Sequence, residues 1–229
     1  LQILKLCKDT ISQLSNLFSI KDSGPLHYFL GIEVKRSTLG IFISQTKYIL
    51  DLLEKSNMLG AKPCATPFST SSLDHQSLRL SNPSKYRSLV GGLQYLTWFR
   101  LNPSFAINLV CQFMHQPKES HLQAVKRILR YLKGTLDLGL WFPKHSNSLS
   151  INAFLDVDWA CCHIDRRSTC GFCILLGNSL ISWSVKKQPT VVKSSTEAEY
   201  RSLANTATEL TCICKLFVDV GLQLPCPPK

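Results

Sequence analysis

Apolar and polar positions alternate with two different periods along this chain, and the changes of period divide it into elements. Leu4, Ile11, Leu14 and Leu17 recur at helical spacing and stop at Lys21-Asp22-Ser23-Gly24-Pro25, a cluster of turn formers. Two extended runs follow, Leu26 to Val34 and Gly40 to Ser44, and the polar residues 35–38 between them predict a hairpin. Thr46 to Met58 carries Tyr48, Ile49, Leu52, Leu53 and Met58 opposite Asp51, Glu54 and Lys55, the pattern of an amphipathic helix. Residues 61–82, rich in Pro, Ser and Thr, have no period and predict a loop or linker.

Asn82-Pro83 supplies an N-cap and a first-turn proline for a helix through Tyr86, Leu89, Val90, Leu93 and Leu96. Gly91 and Gly92 sit in its middle at a cost of roughly 1 kcal/mol each relative to Ala. Either another backbone or a nucleic acid approaches there, or the helix tolerates a weak spot. A shorter helix opens at Pro103 or Ser104. The next spans HLQAVKRILRYLK, with Ser120 as the expected cap and Gly134 beyond its end. Leu122, Val125, Leu129 and Leu132 form its apolar stripe, and Lys126, Arg130 and Lys133 a basic one beside it. That basic stripe reads as a phosphate-binding face or as a solvated helix face.

A polar break near residue 145 opens a new unit. Ile151, Ala153 and Leu155 alternate with Asn152, Phe154 and Asp156, a strand with one polar face. Residues 171–176 and 180–185 predict a hairpin around Gly177-Asn178-Ser179, and Ser194 opens a long helix to about Val220.

Composition narrows the function. The chain has 229 residues with 45% hydrophobic content, enough for real cores. It has no apolar run of the roughly 18 residues that span a bilayer, and no secretory layout at its start, so a membrane protein is excluded and an intracellular one expected. The net charge is +11, and it is one-sided: residues 1–150 hold 18 Lys and Arg against 8 Asp and Glu, residues 151–229 hold 8 against 7. The basic two thirds point to a polyanion such as nucleic acid, or to a solvated basic surface. Ten cysteines without a secretory context read as reduced thiols. Cys170 and Cys173 have zinc-knuckle spacing, but positions i and i+3 of a strand face opposite ways, which disfavours a shared ion.

The carboxylates carry the candidate chemistry. Asp156 and Asp158, at i and i+2 on a strand end, share a face and could share a divalent cation. Glu197 closes a capping box with Ser194. Glu199, with Leu203, Thr206 and Leu210 following at helical spacing, is expected on the inward stripe, where it needs a metal shared with Asp156 or a salt bridge.

A strand with an Asp, a hairpin and a helix opening on a Glu resembles the ribonuclease H fold. FLDVDWA, DRRSTCGFCILLG and SLISWSVKKQPTVVKSSTEAEYRSLA, with KDSGPLHYFLGIEV, SQTKYILDLLEKSNMLGAKPCATPF, YRSLVGGLQYL and HLQAVKRILRYLKGT before them, resemble the Pol polyprotein of copia-type LTR retrotransposons over essentially the whole chain. The resemblance implies an α+β chain: a partial polymerase palm hairpin with a helical thumb and connection, then an incomplete ribonuclease H-like α/β domain. The expected divisions are a palm remnant and first thumb helix (1–60), a linker (61–82), a helical thumb and connection (83–145) and the ribonuclease H part (146–229).

It further implies that Leu30-Gly31 lies near a primer-gripping turn, that Gly91-Gly92 approaches the template-primer duplex, and that Asp156 and Glu199 are catalytic metal ligands for two Mg²⁺ ions, with Asp158 an additional candidate. The implied partners are an RNA-DNA hybrid or template-primer duplex and the rest of a Pol polyprotein. The Tyr-x-Asp-Asp element of the polymerase is absent from the sequence, and the strand and helix bearing the other two ribonuclease H ligands would follow Lys229. A chain that starts at Leu1 inside a helical pattern is therefore expected to be a truncated piece, inactive by itself and binding Mg²⁺ weakly or not at all. The alternatives are a basic nucleic-acid-binding module and a ribonuclease H completed by another chain. Leu155, Val157, Cys161, Cys170, Ser23, Arg100-Leu101-Asn102-Pro103 and Cys212 depart from the usual family residues, which suggests drift.

Overall fold

The computed structural model describes residues 2–20, 24–69, 77–144, 150–162, 164–222 and 224–229, the side chains from residue 9 onward. Helix α1 (Gln2–Leu17) leads into strands β1 (Tyr28–Phe29), β2 (Ile32–Arg36) and β3 (Gly40–Ser44), then helix α2 (Thr46–Lys55). Helices α3 (Pro83–Leu96), α4 (Ser104–Cys111) and α5 (Glu119–Lys133) precede β4 (Leu140–Pro143). Strands β5 (Ile151–Asp158), β6 (Thr169–Leu176) and β7 (Ser179–Lys187) and helix α6 (Ser195–Asp219) complete the chain. The mixture of helix and strand agrees with the expected α+β class. Among the described residues no helix is long and apolar enough to cross a membrane.

The first unit packs four helices beside a small antiparallel sheet of order β1-β2-β3-β4. The expected extended run 26–34 is broken: Leu30 and Gly31 have φ of 48° and 79°, and Phe29 pairs with Ile32 across them. Two consecutive positive φ values make a tight hairpin turn, so β1 folds back on β2 instead of continuing it. Strand β4 pairs with β3 from Gly40↔Pro143 to Ile43↔Leu140, which ties the end of this unit to its beginning.

Why these helices form is visible in their caps and buried stripes. The Asn82 side chain accepts a hydrogen bond from the Lys85 N–H, with Pro83 in the first turn. Helix α2 ends where Asn57 takes φ of 57° and the Met58 N–H reaches the Leu53 carbonyl at 2.8 Å. The cap of α5 is Lys118, one turn position before the glutamate, not the expected Ser120. The His121 ring is the reason: its Nδ1 accepts from the Lys118 N–H at 3.1 Å, while Ser120 is engaged by the Ser77 hydroxyl at 2.8 Å. Ile49, Leu52 and Leu53 of α2, Leu89, Val90, Leu93 and Leu96 of α3, Ile107 and Val110 of α4, and Val125, Ile128, Leu129 and Leu132 of α5 build one continuous core. Each fully buried aliphatic side chain there contributes about 1.5–3 kcal/mol.

The second unit is a three-stranded antiparallel sheet, β5-β6-β7, with α6 on one face. Directly paired residues share a face, so Ala153, Ile174 and Ser182 line one side. Ser182 donates to Glu209 of α6 at 2.8 Å, Gln188 Nε2 donates to the Ala198 carbonyl at 3.1 Å, and Ile174 is fully buried, so this is the face α6 covers. Strand β7 also docks on the first unit: Trp183 Nε1 donates to the Thr97 carbonyl at 2.8 Å, and Asn108 Nδ2 to the Val185 carbonyl at 2.6 Å.

Candidate nucleic-acid interface and acidic site

The basic stripe of α5 is largely occupied by the chain itself. Arg130 Nε donates to the Lys62 carbonyl at 2.6 Å, and Lys133 Nζ donates to the carbonyls of Leu59 and of Ala61, the latter at 2.9 Å. Arg127 adds a bond to Thr66 Oγ1 at 2.7 Å. These donors fasten the aperiodic segment 59–66 along the helix by supplying partners for carbonyls that have no ladder of their own. Lys126 has no such partner among the described residues. With Arg127 and Arg130 it borders a cavity of about 630 Å³ whose floor includes Met58, Phe68 and Ala106. The carbonyls of a segment with neither strand nor helix must find donors elsewhere, and three cations at i, i+3 and i+6 (Arg127, Arg130 and Lys133) are the signal that could have disclosed it.

Gly91, Gly92 and the Leu30-Gly31 turn differ in their surroundings. A Cβ on Gly92 would lie 2.9 Å from Leu52 Cδ1, and Tyr48 Oη donates to the Gly92 carbonyl at 3.0 Å. The close neighbour at Gly92 is thus helix α2. Gly91 faces outward with nothing within 4 Å. At the β1–β2 turn, Leu30 is 68% exposed and its carbonyl accepts from Tyr95 Oη at 2.5 Å, which ties the turn to α3. A Cβ on Gly31 would come within 3.1 Å of the Tyr48 ring, so the turn is seated on α2 and presents Leu30 to solvent.

The acidic residues are not brought together. Asp156 pairs with Gly171 and Asp158 with Thr169, which puts both on the sheet face away from α6, and both are exposed. Glu199 is exposed on α6. The buried stripe of that helix is Ala198, Ser202 and Thr206; it shares Thr206 with the expected stripe but has Ala198 and Ser202 buried in place of Glu199 and Leu203, and Leu203 is 51% exposed. The small residues win because α6 lies close over the sheet and contacts it through polar pairs such as Ser182–Glu209. Half of the expected capping box forms: the Ser194 hydroxyl accepts from the Glu197 N–H, while the Glu197 carboxylate accepts from the Lys193 N–H, one residue before the cap, instead of from Ser194. The Lys193 hydrogen bond holds its pKa below the usual range, with Arg201 at 2.9 Å adding to it.

Mg²⁺ is the ion expected for Asp156 and Glu199. Magnesium demands near-octahedral oxygen ligands at short range. Two exposed carboxylates on opposite sides of a sheet do not fit it, and no group of three His, Cys, Asp or Glu positioned to hold a metal occurs among the described residues. Cys170 and Cys173 fall on opposite faces, as the strand period requires.

A polar cluster that the sequence reading missed lies at the mouth of the β6–β7 hairpin. Lys187 Nζ donates to Asp165 Oδ2 at 2.9 Å, to Gln112 Oε1 at 3.1 Å and to Cys162 Sγ at 2.9 Å. Arg167 is 3.5 Å from the same carboxylate. Burial pushes the Asp165 carboxyl up, but hydrogen bonds with Cys162, Lys187 and the Arg167 N–H outweigh it and carry the pKa down to about 2. The pairing Thr169↔Lys187 and the docking of β7 on the end of α4 bring these residues together, and no motif spacing announces it.

Comparison with known proteins decides the family. A family described as Reverse transcriptase (RNA-dependent DNA polymerase) matches residues 2–70. The chain is 52% identical over 202 residues to an uncharacterized mitochondrial protein of Arabidopsis thaliana, covering 88% of this chain and 84% of that one. It is 51% identical over 226 residues to the retrovirus-related Pol polyprotein from transposon RE1 and over 225 residues to that from transposon RE2, both of Arabidopsis thaliana. This chain belongs to the copia-type retrotransposon Pol family.

These two matches cover 97% of this chain and 15% of each polyprotein. The chain is also 32% identical over 223 residues to the retrovirus-related Pol polyprotein from transposon TNT 1-94 of Nicotiana tabacum, covering 92% of this chain and 16% of that one. No solved structure matches. The match to the reverse transcriptase family spans α1, the β1–β3 strands and α2, the elements expected to be the palm remnant and first thumb helix.

Proposed function

We propose that this chain is a piece of a copia-type reverse transcriptase and ribonuclease H that binds template-primer or RNA-DNA hybrid through its basic first unit and performs neither polymerisation nor hydrolysis alone. The separation of Asp156 from Glu199 carries the second half of this reading: hydrolysis by a two-metal site needs carboxylates converging on one pair of ions. The first half rests on the concentration of positive charge in residues 1–150. Lys126, without an internal partner among the described residues, is the member of the α5 stripe left to meet a phosphate, while Leu30 and Gly91 are exposed in the same unit.

The test measures both activities on the full chain. Fluorescence anisotropy with an RNA-DNA hybrid should show binding that weakens steeply with salt, and Lys126→Ala should lower the affinity across sequences. No binding at low salt would overturn the binding half. Turnover of hybrid in Mg²⁺ that Glu199→Gln abolishes would overturn the inert half.

One observation favours a second reading, a ribonuclease H completed by another chain. The Lys229 N–H donates to the Ile151 carbonyl at 3.0 Å, and the Ala153 N–H donates to the Lys229 carbonyl at 2.7 Å. This is the bonding of a parallel strand to the outer edge of β5, so that edge accepts a further strand. A polypeptide supplying that strand and further carboxylates would convert the inert mixture into a Mg²⁺-dependent nuclease.

A further inference from the structure

We propose that the cavity between β6, β7, α6 and the end of α3 binds a single nucleotide, with its phosphate at Lys186 and an amino-bearing base against Trp98 and Glu209. This goes beyond the duplex-binding reading and uses none of the α5 stripe. The cavity measures about 760 Å³, the size of a small-molecule site, with room for one nucleotide and not for a duplex.

Its walls are held from three elements. Phe172 pairs with Ser184 and Cys170 with Lys186, on the side of the sheet that also carries Ser182 and faces α6. Ser202, Asn205 and Glu209 stand at i, i+3 and i+7 on α6 and line the cavity from above that face. The Trp183 indole N–H is bonded to the Thr97 carbonyl at 2.8 Å, which fixes the end of α3 against β7 and sets Trp98, the next residue, at the rim.

The side chains left over in the cavity define the ligand. Trp98 is 74% exposed, a broad flat ring with no cover, and such a ring stacks on a base. Lys186 and Glu209 are the two charged groups among the lining residues. Ser182 holds one Glu209 oxygen at 2.8 Å, and the other oxygen has no hydrogen bond among the described residues. The Lys186 ammonium has neither hydrogen bond nor ion pair among them. Ser182, which carries Glu209, and Lys186 are four residues apart on β7, a separation of about 13 Å. A ligand that meets both groups needs an anion at one end and a flat ring edged with hydrogen-bond donors at the other. A nucleoside monophosphate with an exocyclic amino group has this form: phosphate on the ammonium, ring on the indole, amino group on the carboxylate. Uracil has a carbonyl oxygen in place of the amino group, and a carboxylate repels it.

A free mononucleotide and an unpaired strand end offer the same chemistry, and the experiment separates them. The full chain is titrated with adenosine 5′-monophosphate (AMP) in a calorimeter. AMP should bind saturably, with adenosine and uridine 5′-monophosphate (UMP) each about tenfold weaker. Trp98→Ala should weaken AMP about tenfold, and Trp98→Phe should keep most of the binding. Lys186→Met should remove the difference between AMP and adenosine, and Glu209→Gln should narrow that between AMP and UMP. Displacement of AMP by a hybrid with one unpaired, 5′-phosphorylated adenosine would identify a strand end as the source, and its failure to displace would identify the free nucleotide. Blunt hybrid should leave AMP in place, so this proposal and the duplex-binding reading can fail separately. The proposal is overturned by no saturable AMP binding at millimolar concentration, by equal binding of AMP and UMP, or by blunt hybrid that displaces AMP. None of these three outcomes depends on a variant that folds.

Discussion

Lys133 Nζ lies 2.9 Å from the Ala61 carbonyl oxygen, so a cation at the end of α5 is bonded to the backbone of a segment 72 residues earlier. With Arg130 on Lys62 it converts a surface stripe into a clasp. Arg130→Ala and Lys133→Ala together are expected to lower stability by about 1–3 kcal/mol, because carbonyls and donors with charge-assisted bonds lose them. Lys126→Ala should leave stability within about 0.5 kcal/mol of the parent. Thermal melting and hybrid binding, measured on both variants, separate the clasp from the binding face; equal melting temperatures would refute the clasp.

Gly91 and Gly92 should respond to alanine with opposite signs. At Gly91 a methyl meets open space, and the gain in helix propensity stabilises by about 0.5–1 kcal/mol. At Gly92 the methyl meets Leu52 Cδ1 at 2.9 Å inside a packed core, and the overpacking of about 1–3 kcal/mol outweighs that gain. Chemical denaturation of the two variants checks the sign directly.

Tyr86→Phe probes the centre of the helical core. The Tyr86 hydroxyl is buried and donates to the Val110 carbonyl at 2.7 Å, and burial raises its pKa well above the ordinary tyrosine value. Removing the hydroxyl deprives that carbonyl of a partner, with an expected cost of about 1–2 kcal/mol. A urea midpoint unchanged from the parent would show that the bond contributes nothing.

Asp165 gives the protein an acid-sensitive contact. Its folded pKa, about 2, lies below the unfolded value near 4, so the stabilisation is present above about pH 4 and is lost as pH falls through the folded value. The carboxylate is about a third exposed, so solvent screening keeps the contribution below about 1 kcal/mol. Asp165→Asn should lower the melting temperature slightly at pH 7 and flatten its decline between about pH 4 and pH 2. An unchanged slope in that window would disprove the assignment.

Much of the architecture is legible in the chain because local periodicity and end signals act over a few residues. Asn82-Pro83 marks the start of α3, the apolar sets of α2 and α3 are the buried ones, and the alternation from Ile151 puts Asp156 and Asp158 on one face. The run 26–34 was misleading because a two-residue turn needs only positive φ at Leu30 and Gly31, and Leu30 carries no sign of it. Ser120 looked like a cap because spacing cannot show that His121 already satisfies the amide of Lys118.

The sequence by itself determined the family, through long ordered stretches that resemble copia-type Pol, and the one-sided charge that suits a polyanion. Only the tertiary structure decided what individual side chains are free to do. Helix phase sets Ala198, Ser202 and Thr206 against the sheet and leaves Glu199 outside, and strand register turns Asp156 to the opposite face. The carbonyls of residues 59–62 draw Arg130 and Lys133 inward, and a strand pairing carries Lys187 to Cys162. A helical or extended period fixes which residues share a face, whereas the partner on that face is set by segments distant in sequence, whose approach depends on the packing of the whole chain.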